Sequence, residues 1–282
     1  MTKTYFEARK WASFTLKNNS EFNTLADVDF IMTHLFDMTQ VQLLIKNQTK
    51  MIEADWKKFQ NVINEIAGGM PPQYAIGRAD FYGMQLKVNN QVLIPRVETE
   101  ELIDWVLEAT SEIDEKPLKV LDIGTGSGAI AIAIKQNRPA FKVTATDISD
   151  AALQVAKENA KEEETDISFV LSDVFDQISD KYDIIISNPP YISEAELEDM
   201  GASVVSHEPS LALFAADNGL AVYKQIIAGL NQHLTDIGMV FFEIGFHQEA
   251  DVMKLLKSEF SNSQVTSRHD VAGNQRMVKL VR

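Results

Sequence analysis

The chain contains no cysteine, which removes disulfides, thiolate metal sites and a cysteine nucleophile together. It has no basic cluster either. The formal net charge is -15, so the long-range field repels polyanions, and a large nucleic-acid or membrane-surface footprint would need a local Lys/Arg patch that the sequence does not contain. Low-complexity tracts, internal repeats and long Gly/Ser linkers are missing, so disorder is not expected. The five histidines, His34, His207, His233, His247 and His269, show no paired ligand spacing, and no metal is expected. Neither a Gly-x-Ser-x-Gly elbow nor a Gly-Lys-Ser/Thr phosphate loop occurs, which leaves hydrolase and nucleotidase chemistry without support. No apolar window reaches the length of a membrane span, and Met1 to Lys17 lacks the apolar core of a signal peptide. A soluble cytoplasmic protein with no membrane partner is the expectation.

What the chain does contain is ordinary globular material, 45% hydrophobic and 24% charged over 282 residues, enough for one large domain or two smaller ones. Up to Gly69 the pattern is helical. Tyr5, Ala8, Ala12 and Thr15 share one face, and so do Leu25, Val28, Met32 and Leu35, with Asn23 or Thr24 as the cap of the second helix. The aromatics Tyr5, Phe6, Trp11 and Phe14 read as helical core. A third helical run, Lys50 to Ala67, stops at Gly68-Gly69 before Pro71-Pro72. Next, Phe81 to Val88 and Gln91 to Ile94 read as strands of a hairpin turning at Asn89-Asn90. From Glu98 onward strands alternate with helices, which indicates a mostly parallel sheet covered on both faces. The last strand, Arg276 to Val281, is expected antiparallel at or near an edge. These readings divide the chain into a small all-helical unit (1–72), a linker with a β-hairpin (73–97) and a Rossmann-like α/β domain (98–282).

The stretch from Val120 to Ala129 runs from a strand through Gly124-Thr125-Gly126-Ser127-Gly128 into a helix. Such glycines let the backbone come close to a ligand, and the helix N-terminus favours electron-rich groups. About 20 residues on, the next strand ends in Asp147, placed to accept hydrogen bonds from ribose hydroxyls. A nucleoside cofactor follows. The loop alone does not choose which, because Gly124-x-Gly126-x-x-Ala129 also fits the looser dinucleotide fingerprint of an NAD oxidoreductase.

Ser187-Asn188-Pro189-Pro190-Tyr191-Ile192 follows the apolar strand from Tyr182 to Ile186. In a doubly wound sheet the first and fourth strands are neighbours at the switch point, so this motif and the glycine loop should face one crevice. Prolines donate no N–H, and two φ angles are fixed, so the turn presents rigid carbonyl acceptors. Asn188 adds a side-chain oxygen and Tyr191 a flat ring. Two acceptors above an aromatic face suit a planar group bearing NH2, which is an amide or an exocyclic amine.

On these residues the sequence resembles methyltransferases that use S-adenosylmethionine, in which Asn/Asp-Pro-Pro-aromatic marks enzymes acting on planar nitrogens. Two branches share the motif: amino-methylating DNA enzymes, and the release-factor glutamine methyltransferases of the HemK type. Val92-Leu93-Ile94-Pro95-Arg96-Val97-Glu98-Thr99-Glu100 is similar to a segment of the second branch, as are Gln73 to Gly77 followed by Phe81-Tyr82-Gly83, Glu208-Pro209 with Leu211-Ala212-Leu213, Asp217 to Leu220, Glu243-Ile244-Gly245 and Asp270-x-x-Gly273-x-x-Arg276. Val97 departs from that family's proline. Val174 stands where relatives often carry an aromatic ring, leaving Phe175 as the neighbouring ring for adenine.

The resemblance implies a class I methyltransferase sheet, S-adenosylmethionine as cofactor with S-adenosylhomocysteine as product, and peptide chain release factors as protein substrate. The methyl group would go to the amide nitrogen of their Gly-Gly-Gln glutamine. It places Asn188, Pro189, Pro190 and Tyr191 at the reacting centre. Gly124, Thr125, Gly126, Ser127, Gly128, Asp147, Asp173, Val174 and Asn188 would surround the cofactor, and the helical unit would recognise the substrate. A monomer with no direct DNA contact is expected; the alternative is adenine methylation in DNA or RNA. The acidic charge favours the protein substrate, since a base-flipping enzyme needs phosphate-contacting Lys/Arg.

Overall fold

A computed structural model describes residues 2–17, 24–112, 117–193, 196 and 206–282. It separates into two compact units, the first running through Arg78 and the second beginning at Ala79 and including Glu208–Arg282. Among the described residues no helix is long and apolar enough to cross a membrane.

The first unit is helical: α1 (Tyr5–Thr15), α2 (Leu25–Leu35), α3 (Gln40–Ile45), α4 (Glu53–Ala67) and α5 (Pro72–Ile76). The first three start at threonines. Thr4, Thr24 and Thr39 each accept from the backbone three residues on while Glu7, Asp27 and Gln42 reach back, satisfying the otherwise unpaired N–H groups of the first turn. Thr24 is therefore the cap of α2; the other candidate, Asn23, lies outside the described residues. The core is built from Ala8, Ala12, Val28, Ile31, Met32, Phe59 and Ile63, with Ala75 and Ile76 of α5 packed on it. Two expectations fail here. Phe6 and Phe14 lie on the outer face of α1, and Leu25, at the first turn of α2, is half exposed.

The hairpin exists, but it turns elsewhere. Its strands are β1 (Arg78–Phe81) and β2 (Met84–Lys87), joined at Tyr82-Gly83. Both turn residues are left-handed, with φ 48° and 78°, the geometry that matches the twist of the flanking strands. The cost at Tyr82 is offset by its backbone N–H bonding Glu100 Oε1 at 2.8 Å and its hydroxyl bonding Asp104 Oδ1 at 2.6 Å. Both carboxylates belong to α6 (Val97–Ala109). Asn89 instead makes a local turn, its Oδ1 accepting from Gln91 N at 2.9 Å, and 91–94 is not a strand.

The described residues of the second unit form a seven-stranded sheet of order β5-β4-β3-β6-β7-β9-β8. The strands are β3 (Lys119–Ile123), β4 (Lys142–Asp147), β5 (Ser168–Leu171), β6 (Tyr182–Ser187), β7 (Leu234–Glu243), β8 (Gln264–His269) and β9 (Gln275–Val281). β3 pairs in parallel with both β4 and β6, Ile123 lying opposite Thr146 and Ser187. β9 runs antiparallel between β7 and β8, one strand in from the edge. The helices are α6, α7 (Ala129–Asn137), α8 (Asp150–Glu162), α9 (Ser210–Leu213), α10 (Ala221–His233) and α11 (Glu249–Glu259). Along β6, Ile184 and Ile186 join one core with Leu102, Ile132 and Phe241, whereas Ile185 joins another with Tyr223, Ile226 and Phe242. Burial on both faces is why this strand reads as an unbroken apolar run. Sequence reading missed β8, whose residues are all partly or fully exposed, and α10.

Candidate active site

The carboxyl ends of β3, β4 and β6 form the floor of the site. After β3, Gly124 and Thr125 both donate their N–H to Thr146 O at 2.9 Å, fixing the loop over the end of β4. Beneath it the Thr125 hydroxyl donates to Asp122 Oδ2 at 2.6 Å. Asp122 is fully buried, and burial pushes its pKa up to about 7 against the pull of the Thr125 hydroxyl and the Ala131 backbone. Gly126 has φ 55°, and a Cβ there would meet nothing within 4 Å. Gly128 serves packing instead, because a Cβ there would stand 3.2 Å from Ala156 on α8. Asp147, ending β4, accepts from Gly126 N through Oδ2 and from Ser149 N through Oδ1, each at 2.9 Å. A carboxylate has about four acceptor sites, so these donors do not use up its capacity. Burial raises the Asp147 pKa and these backbone donors pull against that rise.

Over this floor lies a cavity of about 440 Å³, in the size range of small-molecule and cofactor sites. Gly124, Gly126, Asp147, Asp173, Val174, Asn188 and Pro190 all line it. Thr125, Ser127, Gly128, Pro189 and Tyr191 are not among the residues that line it. The Ser127 carbonyl accepts from Asn159 Nδ2 at 2.8 Å. The same Asn159 exchanges hydrogen bonds with the backbone of Lys87 at 2.7 and 3.0 Å, so the hairpin and the glycine loop hang on one buried amide. The chain leaving the hairpin supplies a wall that sequence reading did not foresee: Gln91, Val92 and Leu93.

Val174, not Phe175, faces the cavity. Val174 sits at φ 45°, with its carbonyl accepting from Ser172 Oγ at 3.1 Å. Phe175 stacks on His233, ring centroids 4.3 Å apart. Gly229 of α10 leaves room for it, since a Cβ there would lie 2.6 Å from Phe175 Cε2.

At the other end of the cavity, Ser187 Oγ donates to Ile123 O at 2.7 Å and ties β6 to β3. Asn188 donates through Nδ2 to Thr99 Oγ1 at 3.2 Å, and Thr99 donates in turn to Glu243 Oε2 at 2.6 Å. Glu243 is buried at the end of β7, and that burial pushes its pKa up to about 7, against the pull of Thr99 and of Arg276. Among the described residues none donates to Asn188 Oδ1 or to the Pro189 carbonyl. Gln248 Nε2 holds the Tyr191 carbonyl at 2.8 Å and the Asn218 carbonyl at 3.2 Å. Burial, reinforced by the Glu243 charge, raises the Tyr191 hydroxyl pKa. Arg96 Nη2 meets Glu208 Oε1 at 2.5 Å. Thr99, Glu243 and Gln248 escaped sequence reading as site residues; their strand-end and helix-start positions were the available signal.

A parallel sheet with a glycine loop after β3, an acid ending β4 and an Asn-Pro-Pro-Tyr turn after the neighbouring β6 defines a Rossmann-like methyltransferase. The family profile described as the methyltransferase small domain matches residues 106–210, and that of the PrmC N-terminal domain matches 7–77. A 16S rRNA N2 G1207 methyltransferase from Thermus thermophilus, solved with AdoMet and guanosine, shares the fold at 17% identity and a TM-score of 0.51, over 73% of this chain and 49% of that one. Sequence relatives are more specific. The release factor glutamine methyltransferase of Streptococcus pneumoniae is 43% identical over 252 residues, 89% of each chain. That of Enterococcus faecalis is 39% identical over 278 residues, 98% of this chain and 99% of the other. The chain belongs to the release factor glutamine methyltransferase family, which decides between the two branches that share the Asn-Pro-Pro-Tyr turn.

Proposed function

We propose that this protein methylates the side-chain amide nitrogen of the Gly-Gly-Gln glutamine of peptide chain release factors, using S-adenosylmethionine. The residues present fit that cofactor. Open space stands over Gly124 and Gly126, an acid that lines the cavity closes β4, and Val92, Leu93 and Val174 offer apolar walls for a base. Gly124 and Gly126 flank the methionine and ribose, Asp147 takes the ribose hydroxyls, and Asp173 beside Val174 takes the adenine amine. When bound, S-adenosylmethionine supplies a methyl group on a positively charged sulfur and leaves as S-adenosylhomocysteine.

A glutamine amide nitrogen is a poor nucleophile because its lone pair is delocalised into the carbonyl. The protein compensates by position and electrostatics. Asn188 Oδ1 and the Pro189 carbonyl accept the two NH2 hydrogens, aim the nitrogen and stabilise positive charge as it develops there. Tyr191 packs on the amide plane, and Pro190 keeps the turn rigid. A strong base is not needed at transfer, since the nitrogen becomes acidic once alkylated. The helical unit recognises the release factor. Every residue invoked lies on one chain, so a monomer suffices, acting in the cytoplasm where release factors work.

The observation that carries this reading is that Asn188 lines the cavity and that neither its Oδ1 nor the adjoining Pro189 carbonyl has a donor among the described residues. It is tested by offering labelled S-adenosylmethionine with a release factor, the same factor with its Gly-Gly-Gln glutamine replaced, and unmethylated DNA. Label is expected on the first alone. Label on the DNA, or on the mutant factor, overturns the reading.

A further inference from the structure

We infer that Thr99 and Glu243 act as a positioning pair that decides which way the Asn188 amide faces, turning its NH2 inward and its oxygen toward the substrate. An asparagine amide is nearly symmetric in shape, so sterics alone do not choose between its oxygen and nitrogen. Neighbouring donors and acceptors do. An ionised Glu243 is acceptor-only, so the Thr99 hydroxyl, 2.6 Å away, gives its proton to the carboxylate. Having spent that proton, Thr99 Oγ1 can only accept from Asn188 at 3.2 Å. Asn188 Oδ1 is thereby left for the cavity that Asn188 lines. Thr99 and Glu243 are both buried and come from α6 and β7, so the arrangement is held by two rigid elements.

The device has a pH consequence. A protonated Glu243 becomes a donor to Thr99, and Thr99 is then free to donate to Asn188 Oδ1. That reverses the amide and presents NH2 to the substrate NH2, which is unproductive. The ionisable groups facing Glu243 are Arg276 on β9, Glu98 on α6, Tyr191 beyond β6 and Tyr223 on α10. Burial dominates among these influences and places the transition at about 7. The glutamine amide does not titrate there.

The inference rests on the proposed role of Asn188, and the experiment separates the two. For wild type, Thr99→Val, Thr99→Ser, Glu243→Gln and Asn188→Ala, the measurements are kcat and KM for a release factor between pH 5.5 and 8.5, cofactor affinity by calorimetry, and the 15N shift of the Asn188 side-chain amide. Wild-type kcat should fall about tenfold per pH unit below the transition, as for loss of one essential ionised group, with the Asn188 resonance moving over the same range. Thr99→Val should lose roughly tenfold in kcat at pH 8, lose the acid limb and the resonance shift, and keep cofactor affinity. Thr99→Ser should restore all three; Glu243→Gln should abolish the acid limb. Wild-type kcat and an intact acid limb in both Thr99→Val and Glu243→Gln overturn the positioning role alone, provided Asn188→Ala is impaired. A fully active Asn188→Ala overturns the acceptor reading beneath it.

Discussion

The turn that presents the acceptors is braced from below by Gly219, and Gly219→Ala is the sharpest test of that bracing. Asp217, Asn218 and Gly219 are consecutive left-handed residues, with φ 63°, 55° and 79°. A Cβ at position 219 would lie 2.7 Å from the Tyr191 carbonyl carbon, and nearer still to its oxygen and to Gln248 Nε2. Real Cβ contacts do not fall below 3.0 Å, and the obstacle is backbone, so the Tyr191 carbonyl has to move. The left-handed conformation costs an alanine about 1–2 kcal/mol, and losing the Gln248 to Tyr191 hydrogen bond adds about 1 kcal/mol. A total of about 2–3 kcal/mol lowers the melting temperature by roughly 4–12 °C for a unit of this size. A shift on the order of 1 Å in Asn188 to Tyr191 lowers the methylation rate by up to about 100-fold. Gly273→Ala is the control, because Gly273 has φ 86° and a Cβ there meets nothing within 4 Å; it carries the conformational cost without the clash. Methyl-transfer rates and thermal unfolding of both variants decide the matter. A Gly219→Ala enzyme as stable and active as Gly273→Ala would refute the bracing.

Further outcomes follow from the same geometry. Asn188→Ala lowers kcat by roughly 100-fold or more, by analogy with removing one preorganised hydrogen-bonding group, while calorimetry finds cofactor affinity retained; near-normal turnover removes Asn188 from the reacting centre. Asp173→Ala weakens cofactor binding in the same assay, and an unchanged affinity removes Asp173 from the cofactor site. Asp122 bears on stability: with its pKa raised to about 7, the folded protein holds a proton between about pH 4 and 7 that the unfolded chain has released. Its contribution therefore declines as pH rises through that window, by up to about 1.4 kcal/mol per pH unit. Denaturant midpoints across that range should fall less steeply in Asp122→Asn than in wild type, and an unchanged slope rejects the assignment.

The alternation of strands and helices was legible because the central strands β3 and β6 are largely buried and apolar-rich, and the helices between them carry apolar stripes. The adjacency of the strands ending in Ile123 and Ser187 followed from the switch-point rule, and it holds. The hairpin turn was misplaced because Asn89-Asn90 carries the stronger local turn signal. Tyr82 adopts its left-handed conformation only because Glu100 and Asp104, on a helix that comes later in the chain, hold its backbone and hydroxyl. β8 was invisible because a half-exposed strand of mixed residues has no apolar pattern to read.

The division is sharpest at the site. Gly124, Gly126, Asp147, Asn188 and Pro190 could be picked as candidates from sequence alone, since glycine, a strand-end acid and paired prolines each carry their chemistry in covalent structure, and all five line the cavity. That Val174 rather than Phe175 faces the cavity, which residues wall it and which way the Asn188 amide turns were decided only in the folded chain. Thr99 and Glu243 stand 144 positions apart, and a hydrogen bond between them exists only once α6 packs against β7. Local residue identity fixes what a group is able to donate or accept. Tertiary packing fixes what it finds to pair with, and at this site it pairs Asn188 with Thr99 and Thr99 with Glu243.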